Sequence, residues 1–209
     1  MKITDKMLEN GNWLFKYRGQ LPIILFLIAI PIINNTSYYS EFEKTTTNII
    51  QYIAIIISII GLILRYLTIA TTPSGTSGRN RNSQIATTLN TTGIYSITRN
   101  PLYFANYIIW LGISIYSLSY ILTIITSLFF LFIYERIILV EENFLTKTHT
   151  KDYEEFIKKT PIFFPNFKNY KTSTEPFFLK KIFRQEYSST LSTVISFIYI
   201  DLIIRYFNE

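Results

Sequence analysis

The sequence contains no cysteine and a single histidine, His149, in 209 residues. Without thiols there is no disulfide, no thiolate nucleophile and no cysteine-held metal, and one imidazole does not build a zinc or di-iron centre, which gathers several ligands. No metal is therefore expected, magnesium on carboxylates being the one form left open. Charge is scarce as well. Asp, Glu, Lys and Arg make up 16% of the chain against 49% hydrophobic residues, and mean hydropathy is +0.25. Soluble domains carry about 25% charged residues, so the balance is that of a membrane protein. The net charge of +6 and pI of about 9.3 raise the question of a nucleic-acid partner. The basic residues sit beside apolar blocks, however, where an anionic membrane surface explains them, and no nucleic acid is expected.

What the chain does have is Ile, Leu, Phe and Tyr gathered in blocks at 49–64, 121–133 and 191–204, nearly free of charge. Such blocks read as spanning helices. Residues 1–20 mix Lys2, Lys6, Lys16 and Arg18 with Trp13, Phe15 and Tyr17, an interfacial lead-in with no cleavable-signal pattern. Residues 21–33 form a first span that is short unless it extends to 39, and Glu41, Glu43 and Lys44 mark the loop after it. Residues 49–70 form the second span, with Arg65 near one end expected to snorkel to the interface. The connection 71–99 is polar and broken by Pro73, Gly75, Gly78 and Gly93.

Residues 100–134 carry no charge and are too long for one crossing, which predicts a helical hairpin turning near 117–120. Its second arm continues through 135–145 and lifts an acidic cluster out of the apolar layer. Residues 147–171 are amphipathic and belong on the membrane surface. Residues 191–207 form a fifth span, with Asp201 and Arg205 paired on one helical face. The expected fold is an all-α polytopic bundle of about five transmembrane helices with a cytosol-facing cofactor cleft. It divides into an N-terminal region 1–70, a core 71–165 and a C-terminal part 166–209.

Four Lys or Arg precede the first span, Lys44 stands alone in the next loop, three fall in 71–99 and ten in 136–184. The positive-inside rule then puts the N-terminus, the 71–99 connection and the 136–184 region in the cytoplasm, at a bacterial inner membrane.

Two constellations carry possible chemistry. In the first, Arg99, Asn100, Pro101, Leu102 and Tyr103 open an apolar helix. Asn100 is a favoured N-cap, Pro101 suits the first helical position, and the first-turn donors with Arg99 make an anion site. Tyr95 and Tyr103 supply flat aromatic surfaces. A plain helix start with interfacial aromatics accounts for the same residues. In the second, Glu135-Arg136 and Glu141-Glu142 leave the other arm of the hairpin, so the two groups should face one another. Carboxylates there suit ribose hydroxyls, an ammonium or a sulfonium; a solvated helix end is the alternative.

The order Gly93, Tyr95, Arg99, Pro101, Tyr103, then the hairpin, then Glu141, Glu142, Leu145, Tyr153 and Pro165 resembles the isoprenylcysteine carboxyl methyltransferase and phospholipid N-methyltransferase superfamily. The resemblance covers roughly 87–165. It implies S-adenosylmethionine as cofactor and a lipidic methyl acceptor, carboxylate or amine. By the same resemblance Thr87, Thr88, Leu89, Asn90, Tyr95, Asn100, Pro101, Leu102, Tyr103 and Glu141 contact the cofactor, and Arg99, Glu141 and Glu142 carry catalysis. The sequence departs from the family pattern in having Asn100 for a histidine, Ala105 for a glycine and Ile137 for an acceptor-binding arginine, which leaves Arg136, one position earlier, as the substrate-binding candidate. Membrane reductases that use a nicotinamide cofactor share part of the first motif but lack the Glu-Glu ending. A non-catalytic membrane or lipid-binding member is the other alternative.

Overall fold

The computed structural model describes residues 2–35, 44–73 and 86–208. The extension of the first span toward 39, the loop with Glu41 and Glu43, and Gly75 and Gly78 of the long connection lie outside the described residues. Within them, regular structure is helical throughout, as the sequence predicts. The helices are α1 (Ile3–Tyr17), α2 (Pro22–Asn34), α3 (Lys44–Ala70), α4 (Pro101–Tyr116), α5 (Tyr120–Lys159) and α6 (Leu179–Asn208). One isolated antiparallel bridge joins Gly93 to Lys171.

The basic lead-in folds as α1, which lies along α5 with Gly11 against the Arg136 carbonyl and Phe15 in the core. Its axis makes an angle of 83° with α2, as expected of an interfacial helix feeding a steeper one. With 13 residues α2 is about 20 Å long.

The 27 residues of α3 and the 16 of α4 pack along a seam of small side chains. Ala54, Ser58 and Gly61 on α3 meet Ala105, Ile109 and Gly112 on α4, and the Ser58 hydroxyl donates to the Ile109 carbonyl at 2.9 Å. A Cβ on Gly112 would fall 2.5 Å from the Ala54 carbonyl, so the backbones approach as closely as glycine allows. Small residues perform this service in membranes, where helices associate by packing rather than by leaving water.

The hairpin turns at residues 117–119, where it was expected. Ser119 accepts from the Leu122 amide at 3.3 Å and caps α5, while Ser117 accepts from the Ser119 amide at 3.2 Å. At 40 residues α5 is about 60 Å long, roughly twice the hydrocarbon layer, so its second half stands outside it. Helical geometry breaks at Thr150 (φ 15°, ψ −91°), and the last turns bury Tyr153 and Phe156 while exposing Lys and Glu.

An aromatic core forms where α4 and α5 leave the apolar layer. Phe130 and Tyr134 stack at 4.0 Å between centroids, with Tyr103, Ile137 and Phe163 around them. A second cluster, Ala29, Ile33, Leu122, Ile200 and Ile204, ties α2, α5 and α6 at the other end. There Arg205 pairs with Asp201 at 2.8 Å, as the spacing predicts, and Tyr116 donates to Asp201 at 3.1 Å.

Among the described residues three helices, α3, α5 and α6, are long and apolar enough to cross a membrane, and a fourth span results if the bent α1–α2 pair counts as one. At about 24 Å, α4 is shorter than the ~30 Å hydrocarbon thickness. Outward-facing Ile56, Ile60, Leu128, Phe132, Leu191 and Leu202 are exposed, a surface suited to lipid rather than water. The chain is a multi-pass membrane protein.

The structure corrects one expectation here. Arg65 does not snorkel outward. Its guanidinium turns into the bundle, bonding Glu186 through Nε at 2.6 Å and Nη2 at 3.0 Å, and Asn106 through Nη1 at 2.5 Å. A bidentate partner within reach compensates the charge better than a stretched side chain could.

Candidate functional site

The two motifs meet. Pro101 occupies the first position of α4, so α4 begins where the sequence places it. From that start Tyr103 projects to α5 and donates to Glu141 at 2.8 Å. One residue before the helix, Arg99 reaches the neighbouring carboxylate, with Nε 2.8 Å from Glu142. Adjacent carboxylates on α5 are thus each matched to a donor from the α4 end. Tyr153, one helical stretch further along α5, also bonds Glu142 through its side chain.

Arg99 does more than pair. Its Nη1 bonds the carbonyls of Ile157 at 3.2 Å and Thr160 at 3.1 Å, and its amide bonds Pro161 at 2.9 Å. The segment after α5 is laced to the segment before α4 throughout: Thr98 donates to the Phe163 carbonyl at 2.8 Å, the Asn166 amide to Ile97 at 2.8 Å and the Gly93 amide to Lys171 at 2.9 Å. Gly93 adopts φ 59°, a conformation glycine takes without a Cβ penalty.

Asn100 differs from expectation. It sits at the N-cap position but makes no side-chain cap; its Nδ2 donates to the Ile162 carbonyl at 2.9 Å instead. The lacing claims the side chain, and the start of α4 keeps no side-chain acceptor over its first-turn amides.

Tyr95 is half-buried on the 3₁₀ turn Ile94–Ser96, hydrogen-bonded to Thr72, and within electrostatic reach of Glu141 and Arg65. Burial pushes its phenol well above the ordinary range, and the Glu141 charge adds to this. It therefore stays protonated. Of the segment before it, Thr87 and Thr88 are exposed while Leu89 and Asn90 are half-buried. Ala86 holds this stretch to α5 through a 3.1 Å hydrogen bond between its carbonyl and His149 Nε2. Leu102 faces away from the carboxylates, into a cavity toward α2.

Arg136 is not brought to the cluster. Its guanidinium lies 3.7 Å over the Phe132 ring and its Nη1 bonds the Phe132 carbonyl at 2.6 Å. Ile137 is fully buried in the aromatic core. Among the described residues, no three His, Asp or Glu side chains gather as metal ligands.

A second polar group was missed by sequence reasoning: Arg65, Asn106 and Glu186, which line the same cavity as Arg18, Tyr103 and Tyr134. The available signal was Arg65 itself, since a charge inside an apolar span calls for a partner of opposite sign. Arg18 acts electrostatically on Glu141 and Tyr103, so the two polar groups share one region.

A family described as "Protein of unknown function (DUF1295)" matches residues 4–160, well over half of the chain. The chain belongs to this family. The DUF1295 match takes in both arms of the hairpin, Arg18 and Arg65, and leaves out α6 with Glu186. Two curated relatives match as well. The "Cobalt-zinc-cadmium resistance protein CzcN" of Cupriavidus metallidurans is 35% identical over 95 residues, 46% of this chain and 41% of that protein. The "Nickel-cobalt-cadmium resistance protein NccN" of Alcaligenes xylosoxydans xylosoxydans is 34% identical over 80 residues, 38% of this chain and 37% of that protein. The chain thus spans about two fifths of the length of these relatives. No solved structure matches.

Proposed function

We propose that this DUF1295 member is a membrane methyltransferase that moves a methyl group from S-adenosylmethionine to a lipidic or otherwise hydrophobic acceptor. What carries the reading is the joining of Tyr103 to Glu141 and Arg99 to Glu142, each at 2.8 Å, because these four residues belong to the two motifs of the methyltransferase resemblance.

The residues present fit the cofactor. The start of α4 lacks a side-chain cap, and the positive end of its helix dipole suits a carboxylate. Glu141 supplies an acceptor for ribose hydroxyls or an ammonium, and Tyr95 an aromatic face beside it. When bound, the cofactor supplies an electrophilic methyl on a sulfonium. Arg99 keeps Glu142 in place and binds the α5 end to the α4 start, so orientation and exclusion of water are the chain's main contribution. A carboxylate acceptor needs no base, whereas an amine acceptor is deprotonated by Glu141 or Glu142. Asn100 does not titrate near neutrality and takes no proton.

In this reading α2 and α4 are short spans, which brings the number of crossings to five, and the cofactor side is cytoplasmic at a bacterial inner membrane. Calorimetry with S-adenosylhomocysteine tests it. The wild type is expected to bind and Glu141→Ala and Arg99→Ala to lose binding; unchanged affinity in both variants refutes the assignment. Stabilisation by NADPH but not by S-adenosylmethionine would turn the reading to a nicotinamide reductase.

The relatives' names favour a second reading, about purpose: the modified membrane component contributes to tolerance of cobalt, zinc or cadmium. A deletion strain with unaltered tolerance to all three ends it.

A further inference from the structure

A cavity of about 900 Å³ lies among α2, α4, α5 and α6, the size of a small-molecule site. One end is polar, with Arg18, Arg65, Asn106, Tyr134 and Glu186 in its wall. From Tyr134 to Leu122 the α5 side of the cavity is about 18 Å long. This stretch is largely apolar: Leu25, Phe26 and Ala29 face it from α2, while on α6 Thr193 donates to the Ser189 carbonyl at 2.8 Å and Ser196 to the Ser192 carbonyl at 2.6 Å. Those two hydroxyls are turned onto their own helix. The cavity opens sideways toward lipid, since Ile23 and Ile195 both line it and are 55% and 54% exposed.

The charges at the polar end are matched. Arg65 holds Glu186 through two hydrogen bonds, and Arg18 is in electrostatic reach of the Glu141 carboxylate. An ionic head brought here would find its counter-charges already engaged, and in a membrane-embedded cavity an uncompensated ion costs far more than an uncharged polar group. What the polar end does offer is a hydrogen-bond donor. Asn106 gives its side-chain oxygen to Arg65 at 2.5 Å, so its amide nitrogen is the atom that meets the Tyr134 hydroxyl. The Tyr134 oxygen therefore accepts, and among the described residues no hydrogen bond takes its proton. Buried donors rarely go without an acceptor, and Tyr134 is 4% exposed and lines the cavity. We propose that the cavity binds a single-chain amphiphile with an uncharged oxygen head, the head accepting from Tyr134 and the chain lying between α2 and α6. Such a ligand carries neither the carboxylate nor the amine of the proposed acceptor, so the inference stands apart from methyl transfer.

Trp110 lines the cavity, and Trp13, the other tryptophan, is exposed on α1. In a Trp13→Phe background in lipid nanodiscs, Trp110 reports occupancy, because bromine on a bound chain quenches it. Chain-brominated hexadecanol is expected to quench saturably and to be displaced by plain hexadecanol. Its sulfate ester and the matching trimethylammonium, both permanently charged, are expected to bind about tenfold or more weakly. Tyr134→Phe should weaken the alcohol about three- to tenfold, the loss of one uncharged hydrogen bond, and leave brominated hexadecane, which has no head, unchanged. Sulfate or ammonium binding as tightly as the alcohol overturns the proposal. So does alcohol binding undiminished in Tyr134→Phe, an equal loss there for alcohol and hexadecane, or stronger displacement by a two-chain diacylglycerol than by hexadecanol. The measurement needs no cofactor, so its failure and the failure of methyl transfer are read separately.

Discussion

Arg65 and Glu186 sit 13% and 2% exposed inside a membrane-embedded bundle, and neither is tolerable there without the other. Removing one partner of a buried ion pair costs about 3–5 kcal/mol, because it strands a charge, whereas replacing both by apolar residues of similar size is often neutral. Glu186→Met alone is therefore expected to lower the unfolding temperature sharply, and Arg65→Met with Glu186→Met to recover most of the loss. A double variant as unstable as the single one would count against the pairing. The sequence shows Arg65 as a charge in an apolar span, yet its partner lies in a basic stretch of the C-terminal part. Identifying it requires knowing that α3 and α6 are neighbours, which no local pattern carries. Asn100 teaches the same lesson. Its propensity to cap was legible, but the Ile162 carbonyl, brought in by the segment after α5, claims its side chain.

At the scale of elements, the absence of charge made the hairpin legible: 100–134 had to turn, and Ser117 and Ser119 mark the place. The facing of Arg99 and Tyr103 with Glu141 and Glu142 follows from that topology, and the structure brings these pairs to hydrogen-bond distance. Less legible was the α3–α4 seam. Gly61 and Gly112 read as isolated glycines until the two helices are laid together, and then each is the point of closest approach. Gly112→Val is expected to destabilise by about 1–3 kcal/mol through overpacking, seen as a lower unfolding temperature in detergent. Gly112→Ala should fall between it and the wild type. If the valine variant melts with the wild type, the seam is looser than described. Arg136 lies near the cluster in sequence, and only the structure shows that its guanidinium turns back onto Phe132.

For the whole molecule, the proposed topology puts the N-terminus, the connection before α4 and the end of α5 on one polar face. The lack of cysteine makes this directly measurable, since any introduced thiol is unique. In intact cells Thr45→Cys, exposed at the start of α3, should react with a membrane-impermeant maleimide. Thr88→Cys, exposed in the segment held by His149, should react only after permeabilisation. The reverse pattern would invert the bundle and move the candidate site to the other side. The central claim, however, is chemical, and it is tested most directly by supplying membranes containing the protein with S-adenosylmethionine labelled in its methyl group and extracting the lipids. Transfer of label into the lipid fraction by the wild type, lost in Glu141→Ala, is the predicted result; no transfer by the wild type, or transfer undiminished in Glu141→Ala, would contradict it.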